Sequence, residues 1–452
     1  ARRPLDRPRQ QVAALIGAEP EHIVFTSGGT ESDNLAVRGV HEARGGGIVT
    51  SPFEHPAVAQ PVAWLEAQGV PVTRLPSDLL GRVQVPASLP ANTGLVSVML
   101  AHNETGVMQP VAELARRARE VGATVHTDAA QAVGKVAVDV NALDVDLLTI
   151  AGHKLYAPKG IGALYVRPGT PLAPLLRGAG HEGGQRPGTE NVAGIVALGM
   201  ACQLAGDHLA HEQAHVRGLR EELWERLSAG VPGLVRTGRP QAGSAARAAD
   251  TLPNTLHVRF PGVIGASVLA RCPDLAASTG SACDAGTHTP SASLLAIGLA
   301  PDDALGAVRL SLGCGSTPEE VRAAASELVA AWQALARPTP AELHPADTAA
   351  VWVSGLWAVL GQTRELLRRG VLHEVPGWSP VASPHPDWPC VARWLGARGP
   401  GALVREVPRF DPAWSLRLWD VPPPPLVQLV EAATAATSLR ALDEAWSAYA
   451  PC

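Results

Sequence analysis

The sequence predicts an α/β protein built on a mainly parallel sheet, followed by a smaller α/β unit. Two patterns carry that expectation. Over residues 1–200, short apolar runs alternate with stretches of helical spacing, and the runs are continuous, as strands covered on both faces are. Small polar residues follow directly after those runs, where the carboxyl ends of parallel strands assemble a ligand site.

In chain order, the expected strands are Ile23–Phe25, Ile48–Val49, Leu95–Leu100, Thr124–Thr127, Leu147–Ile150 and Gly162–Val166. Helical spacing covers Glu31–Val40, Ala57–Gln68 and Val111–Val121. Residues 201–336 form the second unit, with helical patterns over Ala210–Ala229 and Pro318–Ala336 and strand-like pieces at Thr255–Arg259 and Val308–Ser311. The run Arg337-Pro338-Thr339-Pro340 reads as an extended linker, because a residue before proline is driven out of the helical region. Beyond it, residues 341–452 hold eight of the eleven tryptophans and the run Pro422–Pro425, which predicts a small appended α-rich domain.

Composition narrows the function. Hydrophobic residues make up 46% of the 452, enough for a large core, and the net charge of -5 offers nothing to a nucleic acid. No run approaches the roughly 20 uninterrupted apolar residues that span a bilayer, and no signal-type apolar core follows Ala1. A cytoplasmic protein without a membrane partner is expected. The cysteines Cys202, Cys272, Cys283, Cys314, Cys390 and Cys452 are scattered, with neither a disulfide framework nor a zinc spacing. Only three of the 37 Lys and Arg residues are lysine, namely Lys135, Lys154 and Lys159. Where arginine has displaced lysine elsewhere, a remaining lysine invites chemistry that needs a removable proton.

Five polar segments follow strands. Thr26–Glu31 (TSGGTE) places glycines at a strand-to-helix turn, where backbone N–H groups and the helix dipole favour an anion, although an ordinary capped turn has the same residues. His126–Gln131 (HTDAAQ) ends a strand with a carboxylate that taken alone reads first as a helix cap, and that could also hold a ring nitrogen protonated. In Ala151–Lys154 (AGHK), a lysine leaves the sheet between apolar runs; partial desolvation lowers such an amine's pKa and lets it form an imine. Ala277–Ser291 is a small, polar, glycine-containing loop that presents Cys283 to solvent, unlike a packed structural thiol. In Ala307–Gly313 a single arginine, Arg309, interrupts an apolar strand; it needs an anion, either a structural partner or a substrate carboxylate.

In this order and at these spacings the segments resemble the cysteine desulfurases of the NifS/IscS type, fold-type I pyridoxal-phosphate (PLP) enzymes of the class-V aminotransferase group. The resemblance runs from residue 10 to 336 and is carried by TSGGTESDNLA (Thr26–Ala36), AGHKLYAPKGIGALYVR (Ala151–Arg167), RPGTENVAGIVALG (Arg186–Gly199) and STGSAC (Ser278–Cys283). It implies a large domain over 1–200 on a seven-stranded, mainly parallel sheet and a small domain over 201–336 carrying the cysteine loop.

The resemblance also implies roles. Lys154 forms the covalent link to PLP and acts as general base, Asp128 pairs with the ring nitrogen, Gln131 with the ring hydroxyl, and His55 stacks on the ring. Asn103 contacts the substrate or the ring hydroxyl. Gly29, Thr30 and His153 cradle the phosphate, and Thr189 reaches the phosphate of a partner subunit in a homodimer with shared active sites. Arg309 takes the carboxylate of L-cysteine, and Cys283 accepts its sulfur as a persulfide for a protein acceptor, in iron–sulfur cluster assembly or tRNA thiolation. The same cast fits a selenocysteine lyase.

The sequence departs from the family's pattern in several places. A front segment with an Asn-Ala-Ala-Thr-Thr-like strand and loop has no counterpart after Ala1, which allows a non-catalytic scaffold as another reading. Ala151 stands where a phosphate-binding serine is common, and Gly183 and Cys314 stand where arginines are usual. Residues 341–452 resemble nothing in the family.

Overall fold

The computed structural model describes residues 3–239, 250–279 and 290–336. Cys283 and the appended domain expected over 341–452 lie outside the described residues. The chain divides into two units, Ala1–Ala331 and Trp332–Cys452, of which the second is described only over 332–336.

The strands are β1 (Ile23–Thr26), β2 (Gly47–Thr50), β3 (Val72–Arg74), β4 (Thr93–Ser97), β5 (Thr124–Asp128), β6 (Leu147–Ala151), β7 (Gly162–Val166), β8 (Val235–Arg236), β9 (Thr255–Arg259) and β10 (Ala307–Ser311). The helices are α1 (Arg3–Leu15), α2 (Gly29–Arg44), α3 (Pro56–Glu66), α4 (Val111–Glu120), α5 (Val140–Leu143), α6 (Val192–Gly230), α7 (Gly265–Leu269), α8 (Ala292–Ala296), α9 (Pro301–Leu305) and α10 (Pro318–Leu335).

The first seven strands form one sheet in the order β1-β7-β6-β5-β4-β2-β3. Neighbours pair in parallel except across β7, which runs antiparallel to both β1 and β6. The carboxyl ends of β1, β2, β4, β5 and β6 therefore open at the same edge. The mainly parallel sheet is as expected, and continuous apolar runs are explained by cover on both faces. Successive residues point to opposite sides: Ile48, Leu95, Leu147 and Leu164 pack with Val37, Val40, Val58 and Val62 of α2 and α3, whereas Val49, Val96, Leu148 and Tyr165 pack with Val12 and Ile16 of α1, Leu114 of α4 and Leu198 of α6.

The second sheet is small and antiparallel, in the order β10-β9-β8. Expected strand ends are within a few residues of the observed ones, but Val98, Met99 and Leu100 of the expected Leu95–Leu100 leave the sheet, buried in loop conformation. Strands β3 and β8 are additional to the expected ones; β3 lies at the sheet's edge and is largely exposed, so it has no apolar pattern to read.

Helix α6 runs 39 residues, so residue 200, expected to divide two domains, lies inside it. Its amino-terminal part contains a window of 18 residues with mean hydropathy 1.4, long and apolar enough by composition to cross a membrane. Here Ile195, Leu198 and Cys202 face the core. At Gly199 the helix crosses α1 so closely that a Cβ would lie 2.6 Å from the Pro8 Cα.

Candidate active site

Side chains from the shared edge of the large sheet converge. Asp128 is the last residue of β5, and Lys154 sits on a single 3₁₀ turn, Gly152–Leu155, directly after β6. His55 caps α3 after β2, its Nδ1 accepting the Ala57 N–H at 3.2 Å, which places the imidazole proton on Nε2. Donor atoms of His55, Asp128 and Asp33 lie within 4.8 Å of one another.

The electrostatics divide these groups. Burial raises the Asp128 carboxyl, opposed by the Ala130 N–H at 2.9 Å and by His55 and Lys154. Asp33, on α2, is pushed well above the usual carboxylate range by burial, then by Asp128 and Glu54, with only Thr149 opposing. Two buried acids this close do not both ionise. Asp128 holds the favourable partners, so the charged form is favoured on Asp128 over Asp33. Partial burial and Arg309 lower the Lys154 amine while Asp128 acts against them. Burial also lowers His55.

The turn from β1 into α2 abuts the same edge. Gly28 has φ 152°, a conformation closed to most residues, and Gly29 packs where a Cβ would meet the Ala151 Cβ at 3.3 Å. The first-turn N–H groups of a helix have no partner within it, so Gly29 and Thr30 offer an anion seat. Behind it, Arg186 grips Glu31 at 2.9 Å, and Glu31 also accepts the Ser27 N–H at 2.6 Å, which fixes the turn. Thr189 lines a cavity of about 180 Å³ with Ser27 and Arg186. His153 is exposed beside Lys154.

Strand β10 brings Arg309 to this edge, where its NH1 donates to the Asn103 carbonyl at 2.9 Å. Asn103 thus meets Arg309 through its backbone. Ser278, at the entry to the cysteine loop, pairs with Arg309 by two backbone hydrogen bonds, so the loop holding Cys283 starts beside the arginine. Cys314 is exposed, its N–H donating to the Tyr156 hydroxyl at 3.1 Å, and lines with Lys154, Lys135 and Tyr156 a cavity of about 480 Å³.

The structure adds residues that the sequence pattern did not single out. His126 sits behind Asp128, with Nδ1 2.8 Å from the Ser97 hydroxyl and Nε2 3.2 Å from Thr149, and burial lowers it to about 3. Glu54 is buried with both carboxylate oxygens 3.1 Å from the Met99 N–H and a bond from Ser51, and burial raises it to about 8. His102 folds its turn by accepting the Glu104 and Thr105 N–H groups on Nδ1. Asp33, Glu54 and His126 all adjoin motif residues, in ESDNL, FEHP and HTD; two ionisable residues so close in a buried segment were the available signal.

These groups fit PLP by their chemistry: a lowered amine, a buried carboxyl near it whose charged form its neighbours favour, an imidazole beside both, and an anion seat at the amino end of α2.

The chain matches the class-V aminotransferase family over residues 1–323. It is 44% identical over 326 residues to a cysteine desulfurase of Gluconacetobacter diazotrophicus, covering 70% of this chain and 80% of that protein. It is 40% identical over 325 residues to a cysteine desulfurase of Rattus norvegicus, covering 70% of each. Among solved structures, a NifS-like protein superposes with a TM-score of 0.66 at 32% identity, over 74% of this chain and 88% of that one. DndA from Streptomyces lividans superposes with a TM-score of 0.59 at 35% identity, over 68% and 87%.

Proposed function

Because the chain belongs to the class-V aminotransferase family and, within it, to the cysteine desulfurases, we propose a division of labour among its residues in the removal of sulfur from L-cysteine. The observation that carries the reading is the meeting of Lys154, Asp128 and His55 at the carboxyl edge of one sheet.

PLP, when bound, supplies an electron sink for the α-carbon of an amino acid. Lys154 would hold it, Asp128 would serve the ring nitrogen, His55 the ring, Gln131 the ring oxygen, and Gly29, Thr30 and His153 the phosphate. Asp128 suits its part because the Ala130 N–H, His55 and Lys154 favour its charged form against the effect of burial. Arg309, anchored through Asn103, orients L-cysteine by its carboxylate, aided by Asn103. Burial and Arg309 lower the Lys154 amine, and its Nζ takes the proton as general base. The Cys283 thiolate bonds the substrate sulfur as the carbon–sulfur bond breaks, leaving L-alanine and a persulfide for a protein acceptor. We propose further that the chain acts as a homodimer in which Thr189 serves the partner's phosphate. The apolar stripe Val192, Val196, Met200 and Leu204, exposed along α6, supports an association of this kind.

Borohydride reduction of the PLP-loaded chain, followed by peptide mapping, should label Lys154; label on Lys135 or Lys159 instead overturns the assignment. Cys283→Ser should keep the cofactor absorbance and lose sulfur release from cysteine. Desulfuration at the wild-type rate by that variant removes Cys283 from its role.

A further inference from the structure

Lys135 is the one partly buried amine at the site that the roles above leave unused. It follows Gln131 by four residues, and the chain between them turns back through hydrogen bonds from Val133 N–H to Ala129 and from Lys135 N–H to Ala132. The Lys135 Nζ lies 3.1 Å from the Gln131 carbonyl oxygen and 3.2 Å from its Oε1.

We propose that Lys135 is a positioning residue that holds Oε1 of Gln131 and so turns the amide NH2 of Gln131 toward the ring oxygen of the cofactor. The inference rests on the reading that Gln131 faces that ring. An ammonium has three donors and no acceptor, so a glutamine beside it must present its oxygen. The two N–H donors of the amide then point elsewhere. Without such a partner, the two ends of a terminal amide are nearly interchangeable in shape, and the amide has no reason to prefer donating over accepting.

The surroundings explain why lysine stands here in a chain that otherwise uses arginine. At Gly134 (φ +76°) a Cβ would meet the Leu155 Cβ at 3.2 Å and the Ala205 Cβ at 3.4 Å, so the turn is pressed between the Lys154 segment and α6. A compact ammonium reaches both Gln131 oxygens in that space better than a planar five-donor fork. Lys154 and Tyr156 line the same cavity from one side and His208 and Glu212 of α6 from the other. Burial, Lys154 and Arg309 lower Lys135 to about 8, and His153 is lowered in part by Lys135. The ammonium that holds Gln131 is therefore the major form at neutral pH and is lost as the pH passes through the Lys135 titration.

Two measurements on the full chain test this. The first uses the cofactor-free protein: acetic anhydride labelling of Lys135 against pH, read by mass spectrometry, in wild type and Gln131→Ala. Loss of the Oε1 acceptor should make Lys135 more reactive at neutral pH; equal labelling in both proteins overturns the bond. The second uses the loaded protein and follows the pH midpoint of the bound cofactor's absorbance change in wild type, Lys135→Met, Gln131→Ala and the double variant. Lys135→Met should move the midpoint by about one pH unit when Gln131 is present, and by much less in the Gln131→Ala background. An equal shift in both backgrounds, or none in either, sinks the proposal. A wild-type chain that acquires no cofactor absorbance would count against the reading of the site itself, and the labelling then still decides the Lys135–Gln131 bond alone.

Discussion

At the scale of single residues, the site works by placing ionisable groups in unequal surroundings. Asp128 and Asp33 share a buried pocket, yet the Ala130 N–H, His55 and Lys154 favour the charge on Asp128 alone. Glu54 completes this acid-rich layer, and its shift has a sign that can be measured. Its carboxyl is raised from 4.5 to about 8 in the folded chain. Below pH 4.5 both folded and unfolded chains hold the proton, and the group costs nothing. From there to about pH 8 the unfolded chain gives up the proton while the folded chain keeps it, so stability falls across that window by up to a few kcal/mol. Glu54→Gln keeps an oxygen for the Met99 N–H and removes the titration. The cofactor-free variant should therefore lose less stability than wild type between pH 5 and 8, as read from urea midpoints at each pH. Parallel curves for the two proteins would mean that Glu54 is ionised when folded.

At the scale of elements, each active-site residue is aimed by the strand or helix that ends beside it, and α1 is part of that frame. Arg9 on α1 donates to both carboxylate oxygens of Glu182, at 2.9 and 2.6 Å, and to the Ile23 carbonyl, while Glu182 accepts the Phe25 N–H at 2.9 Å. This ties α1 to β1, the strand that delivers the anion seat of α2. The seating of α1 depends on Gly199, where α6 leaves no room for a side chain against Pro8. Gly199→Val should cost about 1–3 kcal/mol, as overpacking at a rigid contact does, and show as a lower thermal midpoint with weaker cofactor retention. An unchanged midpoint would show that α1 slides along α6 without loss.

At the scale of the molecule, the class-V family match covers residues 1–323, and the described fold ends at Ala336. All residues assigned to the chemistry fall before residue 310. We therefore propose that 341–452 forms an appended domain dispensable for desulfuration, beyond the proline-containing run Arg337–Pro340. A chain ended after Ala336 should bind PLP and release sulfur from cysteine as the full chain does. Loss of either by a shortened chain that stays folded would place part of the active site in the last 112 residues, counted from 341 to 452.

The sequence alone determined the layered α/β fold and the parts of the site that follow strands. That was possible because a strand covered on both faces must be a continuous apolar run, and because a parallel sheet exposes its ligands at the ends of such runs; Lys154, Asp128 and the Thr26–Thr30 turn were legible for that reason. The resemblance supplied the roles that spacing leaves open, for His55, Gln131, Asn103 and Thr189. Only the tertiary structure decided which of two acids has the surroundings that favour charge, since Asp33 is 95 residues from Asp128 in sequence and opposes it only across the packed site. It also decided that the Asn103 carbonyl anchors Arg309 and that Lys135 grips Gln131. Bonds of a few ångströms and the desolvation of a carboxylate depend on what lies beside a residue in space, and composition along the chain carries no record of that.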